Sequence, residues 1–129
     1  MTFQHAIVWL DHHDARIIDF TFDDQHLVAV HSESGPRKLH RKAMVIGSGK
    51  AKEDHHFFDE IVAAVGTAQE ILLAGPGTAK LEFEKDLIKR HPDVVKRLVG
   101  VETLDHPSDG QLLAFARKYF KRYDALQGG

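Results

Sequence analysis

The chain has 129 residues, 43% hydrophobic and 28% charged, with a formal net charge of -2 and no cysteine. That length suits one domain with a sizeable core, and the missing thiols exclude a disulfide framework, a thiolate nucleophile and thiolate metal ligation. No apolar run approaches the roughly 18 residues of a membrane span, and the first residues lack the basic-then-apolar pattern of a secretion signal, so a soluble cytoplasmic domain without membrane contact is expected.

Ala6 to Leu10 is a fully apolar run closed by Asp11-His12-His13-Asp14, which predicts a buried strand and a polar turn. Ala15 to Phe22 alternates in part and stops at Asp23-Asp24. Leu27 to His31, with Val28 and Val30 on one face, completes an antiparallel meander of three short strands. Asp54 is the expected N-cap of a helix in which Phe57, Phe58, Ile61, Val62 and Val65 recur at helical spacing up to Gly66. Ile71 to Ala74 predicts a buried strand, and Gly75-Pro76-Gly77 turns it into a helix from about Thr78 to Arg90. A short helical turn is expected within Asp93 to Leu98, then a last strand from Val99 to Leu104. Ser108, with Gln111 three residues on, forms a capping box for a final helix whose inner face carries Leu112, Phe115, Ala116, Tyr119 and Tyr123.

The order β-β-β-α-β-α-β-α contains two strand-helix-strand crossovers, which demand parallel pairing of the first, fourth and fifth strands. The fold class is therefore α/β: a ribonuclease H-like five-stranded mixed sheet with helices packed on it. One domain is expected over residues 1–126, with a basic loop at 36–53 and a frayed tail at 127–129.

That loop is the strongest functional signal. Arg37, Lys38, Arg41, Lys42, Lys50 and Lys52 lie between Pro36 and Lys52 with no Asp or Glu among them, although the chain as a whole is acidic. Concentrated cations bracketed by Gly35-Pro36 and Gly47-Ser48-Gly49 are the footprint of a polyanion site, above all nucleic acid; the alternative is a merely solvated loop. A second cationic set, Arg117, Lys118, Lys121 and Arg122 on the last helix, is accounted for by complementing the helix C-terminus, with RNA contact as the alternative.

Ligands of an open α/β sheet usually bind beyond the carboxyl ends of its parallel strands. Three segments are expected there: Asp11-His12-His13, the Gly75-Pro76-Gly77 turn with Lys80, and Asp105-His106. Gly75, Gly77 and Lys80 offer an anion-binding turn, though a tight strand-to-helix connection explains the same residues and the P-loop spacing is absent. Asp11, Glu60 and Asp105 are the carboxylates a metal-dependent nuclease or phosphodiesterase would use. A zinc-type site would draw on His12, His13, Asp105 and His106 or on His55, His56 and Asp59, but adjacent histidines point apart. Asp11, His12, Asp105 and His106 thus stand as metal candidates against an overall expectation of no metal and no cofactor.

Taken together, Ala6-Ile7-Val8-Trp9-Leu10-Asp11 with Ala15-Arg16-Ile17-Ile18, the basic start Gly35-Pro36-Arg37-Lys38, the run from Ile71 to Phe83 through Gly75-Pro76-Gly77-Thr78-Ala79-Lys80, and Asp109-Gly110 opening the last helix resemble one family. It is the middle domain of the archaeo-eukaryotic class-1 release factors and of the ribosome-rescue factor Pelota, and the likeness runs from about His5 to Phe120. Release factors of that family carry Gly-Gly-Gln in the basic loop, and its Gln helps place the water that hydrolyses peptidyl-tRNA. Here the loop holds Gly47-Ser48-Gly49-Lys50, and Gly-Gly-Gln occurs nowhere in the chain. Pelota also lacks the tripeptide and leaves the ester intact. The resemblance implies a stand-alone bacterial relative acting as a non-catalytic, translation-associated domain that binds the ribosome, tRNA or rRNA. Two alternatives belong to other classes: the nuclease, and a protein-interaction module that forms a homodimer.

Overall fold

The computed structural model describes residues 4–32 and 48–126, except the side chains of residues 48–54. Five strands and four helices follow in order: β1 (His5–Leu10), β2 (Asp14–Phe20), β3 (Gln25–His31), α1 (Ser48–Val65), β4 (Glu70–Gly75), α2 (Ala79–Arg90), the short α3 (Pro92–Val95), β5 (Leu98–Thr103) and α4 (Asp109–Leu126). The strands form one sheet in the order β3-β2-β1-β4-β5. β1 pairs antiparallel with β2 and β2 with β3, while β1–β4 and β4–β5 are parallel. This is the ribonuclease H-like topology expected from the element order, with its antiparallel hairpins on one side and its parallel crossovers on the other.

The central strands are apolar throughout because both faces of the sheet are covered. Ala6, Val8 and Leu10 of β1 and Ile71 and Leu73 of β4 meet Phe57, Phe58 and Ile61 of α1 and Phe83 and Leu87 of α2. Ile7, Trp9, Leu72 and Ala74 face the other way, against Leu112, Ala116 and Phe120 of α4. Removing one of the fully buried leucines would cost roughly 2–5 kcal/mol. The sheet is therefore a rigid platform, and the polar residues at its two ends are held by it.

Several boundaries differ from expectation, each for a local reason. β2 ends at Phe20 because the Thr21 N–H donates to the Asp24 carbonyl (2.9 Å), which turns the chain out of the ladder and leaves Phe22 97% exposed. α1 begins at Ser48, six residues before the expected cap Asp54, so the last part of the predicted basic loop is helical. Lys50-Ala51-Lys52-Glu53 are good helix formers, and nothing in them stops the helix. On α4 the inner line is Leu112, Ala116 and Phe120, one residue in four; Phe115, Tyr119 and Tyr123 flank it half-buried. Because α4 runs on to Leu126, its last turn holds no basic residue, so Arg117, Lys118, Lys121 and Arg122 do not complement its C-terminus.

The Ser108–Gln111 capping box forms as expected: Gln111 N–H donates to Ser108 Oγ (3.2 Å), and Ser108 N–H donates to Gln111 Oε1 (2.9 Å). Gly75 is required by space. A Cβ there would lie 2.2 Å from the Leu10 carbonyl oxygen, where β4 leaves the sheet beside the end of β1. Among the described residues, no helix is long and apolar enough to cross a membrane.

Candidate functional site

β1, β4 and β5 all run toward one edge of the sheet, and α2 and α4 start from it. α1 leads into the start of β4, and it packs side by side with α2 through His55–Asp86 (3.4 Å) and Asp59–Arg90 (2.6 Å), so it too begins at the carboxyl edge. β3 also ends there, with the Ser32 N–H donating to the His13 carbonyl (2.7 Å). Ser32 and Ser48, the described residues on either side of 33–47, therefore both lie at this edge. Arg37, Lys38, Arg41 and Lys42 lie outside the described residues. Lys50 and Lys52 fall in the first turns of α1, but their side chains lie outside the described set.

Two of the three expected segments meet at this edge. A cleft of about 390 Å³ is lined by Trp9, Asp11, Arg16, His31 and His106 among others. Asp11 closes the β1–β2 turn: its Oδ1 accepts the His13 and Asp14 N–H groups, both at 2.8 Å. Its partial burial opposes ionisation, but those two amides and His106 outweigh it and hold the carboxyl below its ordinary range. His106 places Nδ1 3.0 Å from Asp105 Oδ1 and Nε2 3.4 Å from Asp11 Oδ2, and the two acids raise its pKa. The His106 ring lies 5.0 Å from Trp9, whose indole N–H donates to the Asp105 carbonyl (2.8 Å). Arg16 sits 4.5 Å above the Trp9 ring and pairs with Asp109 at 2.8 Å.

The third segment is used differently from the expectation. Lys80 is buried, and its ammonium donates to the Gly77 carbonyl at 2.6 Å, so it closes the turn and is not presented to an anion. His12 sits apart, beside Glu82 at 3.4 Å. Glu60 lines a groove between α1 and β3, and Asp59 is held by Arg90 and His91, which takes the His55, His56 and Asp59 set out of play as metal ligands. Neither this set nor Asp11, Glu60 and Asp105 brings three ligand atoms together. Arg117 is likewise committed: its guanidinium donates to the Thr21 and Asp24 carbonyls at 3.2 and 3.3 Å, bracing the β2–β3 turn.

At the opposite, amino edge lies a cluster that the sequence did not advertise. His5 opens β1 directly beside Glu70, which opens β4. His5 Nε2 lies 3.0 Å from Glu70 Oε1 and 3.3 Å from Asp124 Oδ2, near the end of α4. Burial and the facing Asp124 carboxylate push the Glu70 pKa up. The available signal was a polar residue just ahead of each of two neighbouring parallel strands.

No family model matches the chain. In sequence it is 27% identical over 111 residues to the protein pelota homolog of Archaeoglobus fulgidus, a match covering 84% of this chain and 32% of that protein. Among solved structures, Archaeoglobus fulgidus Pelota superposes with a TM-score of 0.60 at 14% identity, over 88% of this chain and 30% of that one. Thermoplasma acidophilum Pelota gives 0.59 at 21% identity, over 86% and 31%. The archaeal translation termination factor aRF1 gives 0.56 at 13% identity, over 96% and 39%. The chain spans about a third of the length of the Pelota proteins it matches. It is thus similar in sequence to Pelota and shares a fold found in Pelota and in a translation termination factor.

Proposed function

We propose that this chain is a translation-associated RNA-binding domain that docks on rRNA or tRNA phosphates through Arg37, Lys38, Arg41, Lys42, Lys50 and Lys52. The observation that carries the proposal is the similarity to Pelota along 84% of the chain. The charge pattern supports it, because Ser32 and Ser48, the described residues on either side of 33–47, lie at the carboxyl edge, where α1, α2 and α4 all begin. Three helix N-termini add partial positive charge at that edge. The chain holds no Gly-Gly-Gln, and its function in this view is to hold RNA without hydrolysing a peptidyl ester.

Phosphate contacts make affinity fall steeply with salt, each contact adding about one to the slope of log K against log salt concentration. The test is co-sedimentation of the full chain with ribosomes across a salt series, with and without ribonuclease. Co-migration lost on ribonuclease treatment, and a slope reduced by about 3–4 in R37A/K38A/R41A/K42A, are the expected outcomes. An unchanged profile in that variant would end the proposal, and a salt-insensitive complex that survives ribonuclease would point to a protein partner in its place.

A further inference from the structure

We propose that His5, Glu70 and Asp124 bind a divalent transition-metal cation of the zinc class at the amino edge of the sheet. The three side chains arrive from β1, β4 and α4, far apart in sequence. Among the described residues they are the one group of three His, Asp or Glu side chains whose ligand atoms all lie within 4.8 Å of one another. One imidazole with two carboxylates is a donor set that zinc and its neighbours accept, whereas calcium and magnesium favour all-oxygen shells.

The spacing agrees with that chemistry. Metal bonds of about 2.0–2.1 Å place neighbouring ligand atoms about 2.9 Å apart in octahedral and about 3.3 Å apart in tetrahedral coordination. His5 Nε2 stands 3.0 Å from Glu70 Oε1 and 3.3 Å from Asp124 Oδ2. Both His5 Nε2 and Glu70 Oε1 are buried, and they face each other at 3.0 Å without the alignment of a regular hydrogen bond. A cation between them needs that separation and not that alignment.

The ligands are also held in advance. The parallel β1–β4 register sets His5 opposite Glu70, and the His5 ring packs against the touching pair Phe20 and Phe120, with centroids at 5.6 and 4.5 Å. Two carboxylates facing one imidazole repel each other, and a dication relieves that repulsion. His5 and Asp124 also line a cleft of about 330 Å³ with Phe20, Arg117, Phe120 and Lys121. Three protein ligands leave a coordination position open, and the cleft gives a water or small anion room to take it. The inference stands apart from RNA binding, which belongs to the other end of the sheet.

The test is calorimetric titration of the full chain with zinc chloride, with cobalt chloride absorption as a second readout of coordination. One zinc per chain is expected, with affinity reduced at least about tenfold in both Asp124→Asn and His5→Gln and unchanged in His106→Gln. Asp124 is 44% exposed, so Asp124→Asn decides the matter even where His5→Gln fails to fold. Binding should weaken as pH falls, because protons compete for the same three side chains. Absence of zinc binding, or zinc binding that survives Asp124→Asn, overturns the proposal.

Discussion

The two ends of the sheet hold the same kind of side chain under opposite conditions. At the carboxyl edge, the Asp11 carboxyl accepts two backbone N–H groups from the turn that follows β1, and its pKa falls despite burial. At the amino edge, burial pushes Asp19 up to about 6, opposed weakly by His26, and raises Glu70, which also faces Asp124. The difference is architectural. A strand that ends in a tight turn delivers free amide donors to a neighbouring carboxylate, whereas at the amino edge Asp19 is buried with Oδ1 unpartnered and Glu70 faces another acid. An edge that offers N–H donors already stabilises negative charge, and an edge crowded with buried acids invites a cation or a proton.

The largest effect should come from removing the close contact that shapes the carboxyl edge. Gly75→Val puts a side chain where the Leu10 carbonyl oxygen lies, 2.2 Å from a Cβ. We expect a loss of about 3 kcal/mol in urea unfolding. A loss below about 1 kcal/mol would show that the ends of β1 and β4 separate easily and that this edge is less rigid than described.

A smaller effect, of opposite sign, belongs to the amino edge. Asp19 is 7% exposed, and its Oδ1 has no hydrogen-bond partner. Because its folded pKa is raised to about 6, the fold favours the protonated form, so stability is lost as pH rises from about 4 through about 6. Asp19→Asn should remove that decline and stabilise the protein at pH 7.5 by about 1–3 kcal/mol. Thermal unfolding across pH 4–8 checks it, and an unaltered pH profile would place the raised pKa elsewhere. Asp11 has the reverse sign: its contribution is present at neutral pH and is lost only as pH falls below the ordinary carboxylate range.

The smallest effect is at exposed His106. Its imidazole is raised first by Asp105 and then by Asp11, so Asp105→Asn should bring the NMR titration midpoint of the ring down toward 6.5. A midpoint that stays put would mean that Asp105 does not face the ring in solution.

Much of the fold was legible because its signals are local. The apolar runs at Ala6–Leu10 and Ile71–Ala74, the Gly-Pro-Gly turn and the Ser108 capping box each lie within a few residues, and their order dictates the sheet. The start of α1 was not legible, since Gly47-Ser48-Gly49 reads as a loop while the residues after it propagate a helix. Lys80 stands in the sequence as a candidate anion contact beside the tight-turn alternative, because a lysine after a glycine turn looks available; only the structure shows its ammonium turned back onto Gly77. The His5, Glu70 and Asp124 cluster was missed for a different reason. The rule that ligands gather at the carboxyl ends of parallel strands directed attention to the other edge, and Asp124 comes from a helix end that no spacing connects to β1.

One further consequence lies in Trp9. It is the single tryptophan of the chain, 2% exposed, with its indole N–H held by the Leu104 and Asp105 carbonyls, Arg16 over its ring and the His106 ring tilted against it. The protein thus carries one intrinsic fluorophore, and it sits at the carboxyl edge alone. An anion that draws Arg16 away or shifts the segment around His106 changes the surroundings of that indole, whereas a cation bound between His5, Glu70 and Asp124 leaves them untouched. Tryptophan emission is therefore a position-sensitive signal, able to report which end of the sheet a ligand has found.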